Sequence, residues 1–125
     1  MSKRSEARKQ FLADVLSTAI EGGINYWAAV DFDSAERVEC EQDALGWRYG
    51  SVRILDKVDG TEFGTMRTID ANTVARGLRE LRKTDRYSFK DLRKADRTNG
   101  DEGDFDAGDA DAVIQLGIFG EIVYG

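Results

Sequence analysis

The 125-residue sequence predicts an α+β domain: an N-terminal helix, a three- to four-stranded mainly antiparallel sheet, and two to three C-terminal helices. Three observations carry this. Apolar residues recur at helical spacing between Phe11 and Ile20, aromatic and β-branched residues concentrate between Ile24 and Ile69, and helical spacing returns after Asp70. The chain has no proline, no low-complexity linker and no internal repeat, and it is long enough to bury one core, so it reads as a single domain over 1–125.

Each element has a local reason. Residues 5–21 form an amphipathic helix because Phe11, Leu12, Val15, Leu16, Ala19 and Ile20 share a face, with Gly22 and Gly23 as the stop. The lysines and arginines ahead of Phe11 lie at the positive end of that helix, where its dipole disfavours them, so they are expected to contact something else. "INYWAAVDF" alternates Tyr26, Ala28, Val30 and Phe32 on one face with Trp27 and Ala29 on the other. "RVECEQ" reads as a short edge strand, "ALGW" as a turn and "WRYGSVRIL" as a longer strand. Asp59-Gly60 in "KVDGTEF" predicts a hairpin, with "TEFGTMRTI" returning.

Asp70 is suited to cap a helix that begins near Ala71 and carries Val74, Leu78 and Leu81 as its apolar stripe. Ser88 with Asp91 reads as a capping box for a short basic helix in "FKDLRKA", ending near Asn99-Gly100. The last helix, roughly Asp109 to Phe119, is apolar nearly all round through Val113, Ile114, Leu116, Ile118 and Phe119. It is expected at the centre of the core, with Gly117 and Gly120 allowing close backbone approach.

Composition excludes several chemistries. Cys40 is the only cysteine, so neither an intramolecular disulfide nor a thiolate-rich zinc site can form, and a reducing, cytoplasmic setting is expected. Histidine is absent, which removes Ser/His/Asp and Cys/His catalysis within this chain. The N-terminal apolar positions are broken by Asp14, Ser17 and Thr18, unlike a signal-peptide core, and no later run reaches membrane-spanning length, so no membrane contact is expected.

The charge is unevenly placed. Residues 79–97 are net basic, whereas "RTNGDEGDFDAGDADAVIQ" supplies Asp101, Glu102, Asp104, Asp106, Asp109 and Asp111 with no base among them. A second acidic window, residues 31–43, holds Asp31, Asp33, Glu36, Glu39, Glu41 and Asp43 against Arg37 alone. If the windows share a surface, their carboxylates can imitate a run of phosphates and occupy a nucleic-acid groove on another protein. The plainer alternative is a helix start, where acids meet the positive dipole end and Asp106 or Asp109 acts as cap.

An EF-hand is ruled out, because counting from Asp104 puts Gly108 at position five and Gln115 at position twelve. An irregular calcium or magnesium site on Asp101, Asp104, Asp106 and Asp109 remains an alternative; otherwise no cofactor is expected. Nucleic acid is a lesser alternative partner, through Arg79, Arg82, Lys83, Arg86, Lys90, Arg93 and Lys94 with Tyr87 and Phe89 as stacking groups. Asp85, Asp91 and Asp96 can neutralise those cations instead. Trp27 and Trp47 are either binding anchors or cross-strand packing.

Three segments resemble a known group. "FLADVLSTAIEGGINYWA" (Phe11 to Ala28), "TIDANTVARGL" (Thr68 to Leu78) and "ADRTNGDEGDFDAGDADAVIQLGIFGEIVYG" (Ala95 to Gly125) are similar to a family of small proteins from actinobacteria and their bacteriophages. The resemblance implies context, an accessory protein of a phage or mobile element acting inside a bacterium, and carries no activity or catalytic residue. It also implies that the acidic segment and terminal helix work as a unit, with Asn99, Asp104, Asp106, Asp111 and Gln115 in the shared motif.

The leading expectation is therefore a non-enzymatic protein that binds a host macromolecule, above all a host protein, through an acidic surface built from Asp101, Glu102, Asp104, Asp106, Asp109 and Asp111 with Trp27 and Trp47. Inhibition of a defence or nucleic-acid-processing protein is one form this takes. The alternatives are a divalent-metal-dependent enzyme using Asp104, Asp106 and Asp109, and a structural homo-oligomer formed through "IFGEIVYG".

Overall fold

Ser5 opens the first helix, α1 (Glu6–Thr18), by accepting a hydrogen bond from the Arg8 amide at 3.1 Å. The computed structural model describes residues 4–41, 43–56, 64–84 and 89–125. The apolar face expected of α1 is buried in full, from Phe11 to Ile20. Beyond Thr18 the helix widens into a π-helical turn, Ala19–Gly23, and the chain leaves helical geometry at the two glycines. Gly23 is required there, because a Cβ would lie 2.6 Å from the Ala107 carbonyl oxygen.

The sheet has three antiparallel strands, β1 (Ala28–Glu39), β2 (Trp47–Asp56) and β3 (Met66–Asp70), in that spatial order. Two segments expected to be separate strands are one: β1 runs through both "AAVDF" and "RVE", with register shifts between Asp31 and Arg37. Ser34 holds the irregular stretch by donating to the Asp31 carbonyl at 2.6 Å and accepting from the Arg53 amide at 2.8 Å. β1 also begins later than expected. Residues 25–27 form a turn, so Trp27 is not a strand residue. On β2 the side chains of Val52, Ile54 and Asp56 are buried and Arg53 is exposed, the period-two pattern of a sheet covered by helices on one face.

After the sheet come α2 (Ala71–Arg82), α3 (Lys90–Thr98) and α4 (Ala107–Phe119). Asp70 caps α2 reciprocally with Thr73, at 3.1 and 3.2 Å. Val74, Leu78 and Leu81 are fully buried. The Asp59-Gly60 hairpin and the Ser88 cap, like Asp85, Arg86 and Tyr87, lie outside the described residues.

α2 and α4 approach so closely that each needs a glycine at the contact. A Cβ on Gly77 would stand 1.9 Å from the Val113 carbonyl oxygen, and one on Gly117 would stand 2.1 Å from that of Thr73. Gly120, expected to serve the same purpose, is instead the left-handed cap of α4 with φ 74° and no atom near its missing Cβ. Gly77→Ala is expected to lower stability by about 2 kcal/mol, since forcing the helices apart outweighs the roughly 1 kcal/mol gained in helix propensity. Urea midpoints would show this, with Gly22→Ala, which meets only Ala107 Cβ at 3.9 Å, as the near-neutral control. Equal midpoints for the two variants would contradict the packing argument.

Candidate binding cleft

A cleft of 630 Å³ opens between α1, the turn joining β1 to β2, and the loop joining α3 to α4. Its walls include Gln10, Phe11 and Asp14 from α1, Cys40 and Asp43 from the turn, Arg48 from β2, and Asn99, Gly100 and Asp101 from the loop. Local rules place these groups. Asp43 folds the turn by accepting from the Leu45 amide at 2.8 Å. Asn99 and Gly100, with φ of 53° and 84°, end α3 in left-handed geometry and swing Asp101 to the cleft rim.

Arg48 is the cation of the wall, and it is already engaged. Its guanidinium meets Asp14 at 2.7 Å, Asp43 at 2.9 Å and Glu21 at 3.7 Å. Burial raises the Asp14 pKa above its ordinary value, and the neighbouring charges of Asp43 and Asp104 add to burial against the opposing pull of Arg48. The lining carries three carboxylates, Asp14, Asp43 and Asp101, against the one guanidinium of Arg48.

The two acidic windows each give one end to the cleft. Asp43 closes the first and Asp101 opens the second, and both line the cleft. The other members disperse. Asp31 pairs with Arg53 at 3.2 Å, and Asp33, Glu36 and Glu39 are exposed along β1.

Within the second window the carboxylates have three different fates. Asp101 and Glu102 face solvent, and Asp104 does so while accepting from the Phe105 amide at 2.8 Å. Asp106 and Asp109 cap α4 reciprocally, at 2.8 and 3.0 Å. Burial raises the Asp109 pKa; its bond from the Asp106 amide opposes this, and the charges of Asp106 and Asp104 reinforce it. Asp111 departs from the expected acidic surface altogether, at 7% exposure. It sits two residues beyond Asp109 on α4, on the side that faces the core. Among the described residues no group of three or more cysteine or acidic side chains is arranged to hold a metal ion.

The tryptophans separate as well. Trp27 is 2% exposed, donates its indole N–H to Asp111 at 2.7 Å, and stacks on Tyr124 with ring centroids 5.0 Å apart. It has no surface to offer a partner, because a ring this large is more stable inside with its one donor satisfied. Trp47 is half-buried against the edge of Tyr49, with the Arg37 guanidinium 4.0 Å from its ring centre.

Several cations of the basic segment are spent within the molecule. Arg82 binds Asp96 at 2.7 and 2.9 Å, Lys83 meets Glu80 at 3.0 Å, and Arg93 donates to the Thr84 carbonyl. Arg8, one of the bases poorly placed at the start of α1, finds its partner here too, at 2.7 Å from Asp96.

A buried polar network lies on the opposite flank of α4 and was missed by sequence reasoning. Gln115, with no exposed surface, accepts from the Val123 and Tyr124 amides at 2.8 and 2.7 Å and donates to Asp111 at 3.0 Å. The Tyr26 hydroxyl donates to Asp111 at 2.6 Å, and its pKa is pushed up to about 12, by burial of the hydroxyl first and by the Asp111 carboxylate second. Tyr124 in turn donates to buried Asp56 at 2.8 Å. The signal was Asp111 and Gln115 one turn apart on an otherwise apolar helix.

No known protein family, curated protein or solved structure matches this chain. Among the described residues no helix is long and apolar enough to cross a membrane.

Proposed function

We propose that this chain is a small, non-enzymatic accessory protein of a phage or mobile element that binds a host protein in the cytoplasm through the acidic face around the cleft. The observation that carries the reading is the convergence of Asp14, Asp43 and Asp101 on one cleft whose cation, Arg48, is already paired. Its volume falls within the range of about 300–1,000 Å³ usual for ligand sites, and its lining selects a basic occupant. A groove that normally holds phosphates is the kind of basic surface such carboxylates fit, which makes a nucleic-acid-processing or defence protein the fitting class of target. The family resemblance supplies the phage and actinobacterial context.

The test is affinity capture from an actinobacterial lysate with the wild-type chain beside an Asp101→Lys, Asp104→Lys variant. These two residues are exposed and leave the cap pair Asp106 and Asp109 intact. A nucleic-acid-processing or defence protein retained by the wild type and lost from the variant, at equal melting temperature, is the expected result. Equal recovery on both baits would overturn the reading.

A further inference from the structure

We propose that the cleft is a socket for one arginine side chain of the protein partner. This rests on the acidic-face reading above and narrows it to a single contact. The wall already holds one such group: the guanidinium of Arg48 bridges two carboxylates, giving Nη2 to Asp14 at 2.7 Å and Nε to Asp43 at 2.9 Å, one bond to each.

Asp101 lines the same cleft, and among the described residues no cation pairs with it or with Asp104. The carboxamide of Gln10 adds an acceptor whose partner is the weakly donating Cys40 thiol at 4.0 Å. Phe11 contributes an apolar wall against which an aliphatic stem can lie. A second guanidinium entering here meets unspent carboxylate on one side and the Arg48 carboxylates on the other. Burial, first of all, holds the Asp14 pKa above its ordinary value, and the charges of Asp43 and Asp104 add to it against the pull of Arg48. A lysine ammonium is a point charge that cannot bridge separated carboxylates in this way, so arginine is preferred.

The experiment is an amide chemical-shift titration with three blocked tripeptides carrying arginine, lysine or citrulline between glycines. The arginine peptide is expected to shift Gln10, Asp14, Asp43 and Asp101 saturably, the lysine peptide to bind more weakly, and the uncharged citrulline peptide not to bind. Asp101→Asn is expected to weaken the arginine peptide about two- to five-fold, whereas Asp33→Asn, the same charge change out on exposed β1, leaves it unaltered. Equal weakening by both substitutions, or equal affinity for arginine and lysine, would mean diffuse attraction and remove the socket while leaving the acidic-face reading standing. Silence of the cleft amides with every peptide would also remove it. Failure of the acidic-face reading itself is seen separately, in the capture experiment.

Discussion

Asp96→Ala is expected to destabilise the fold by about 3 kcal/mol, near the lower end for loss of one member of a buried ion pair. Asp96 is the point where three helices meet. Its side chain is 2% exposed and receives Arg8 from α1 at 2.7 Å and Arg82 from α2 at 2.7 Å, while itself belonging to α3. Arg8 also donates to the Asp96 carbonyl at 2.8 Å and to Asn99 at 3.1 Å. Removing the carboxylate leaves two guanidinium groups facing each other without their acceptor. Arg82 is half exposed and recovers hydration, which keeps the cost at the lower end. Because Asn99 and Asp101 follow directly from α3, the same substitution is expected to loosen the cleft wall.

The pH dependence has a definite sign. Burial alone pushes the Asp96 pKa up, but the hydrogen bonds and charges of Arg82 and Arg8 together outweigh it and hold the carboxyl below its ordinary value of 3.8. Its contribution is therefore full above pH 3.8 and lost as pH falls through the lower folded value. Asp14 and Asp109 act oppositely. Their raised values contribute stability that is complete below 3.8 and lost as pH rises through the folded values. Urea midpoints across a pH series should fall from mild acid towards neutrality through the second pair, and fall again in strong acid through Asp96. Asp96→Ala should flatten the strongly acidic limb. A variant that kept the wild-type limb would show that other carboxylates set it.

Asp111→Ala is the second large effect, expected at about 3 kcal/mol, because it strands the buried Trp27 indole N–H and removes one acceptor from Gln115 rather than merely deleting a contact. The Trp27 indole N–H and one Gln115 amide proton both end on Asp111 Oδ1, at 2.7 and 3.0 Å, inside a region that water does not reach. Asp111→Asn retains one acceptor oxygen and should cost less than half as much. The consequence extends to the end of the chain. Gln115 grips both amides of Val123 and Tyr124, and Tyr124 stacks on Trp27, so a Gln115 left with only its longer bonds to the Tyr124 carbonyl and the Tyr26 hydroxyl, at 3.1 and 3.3 Å, holds the terminal residues less tightly. Hydrogen exchange at the Val123 and Tyr124 amides should accelerate in Asp111→Ala, and the near-ultraviolet signal of Trp27 should diminish. Native exchange rates with an unchanged midpoint would refute the role given to this carboxylate.

The sequence by itself determined the class of fold and the elements whose reasons are local. The buried face of α1, the Asp70 cap, an aspartate cap from Asp106 or Asp109 at the start of α4, and the apolar last helix all depend on residues within about four positions of each other, where helical period and capping chemistry operate. What it could not determine is the assignment of each charge. Charge has no period that distinguishes a cap from a core acceptor or a surface group; the partner decides, and the partner is distant in sequence. Only the tertiary structure turned Asp111 inward to Trp27, gave Asp96 to Arg8 and Arg82, and brought Asp43 and Asp101 to one cleft. It likewise decided that Gly77 joins Gly117 at the close contact and that Gly120 is a cap, because helix spacing is a property of the pair of helices and not of either sequence alone.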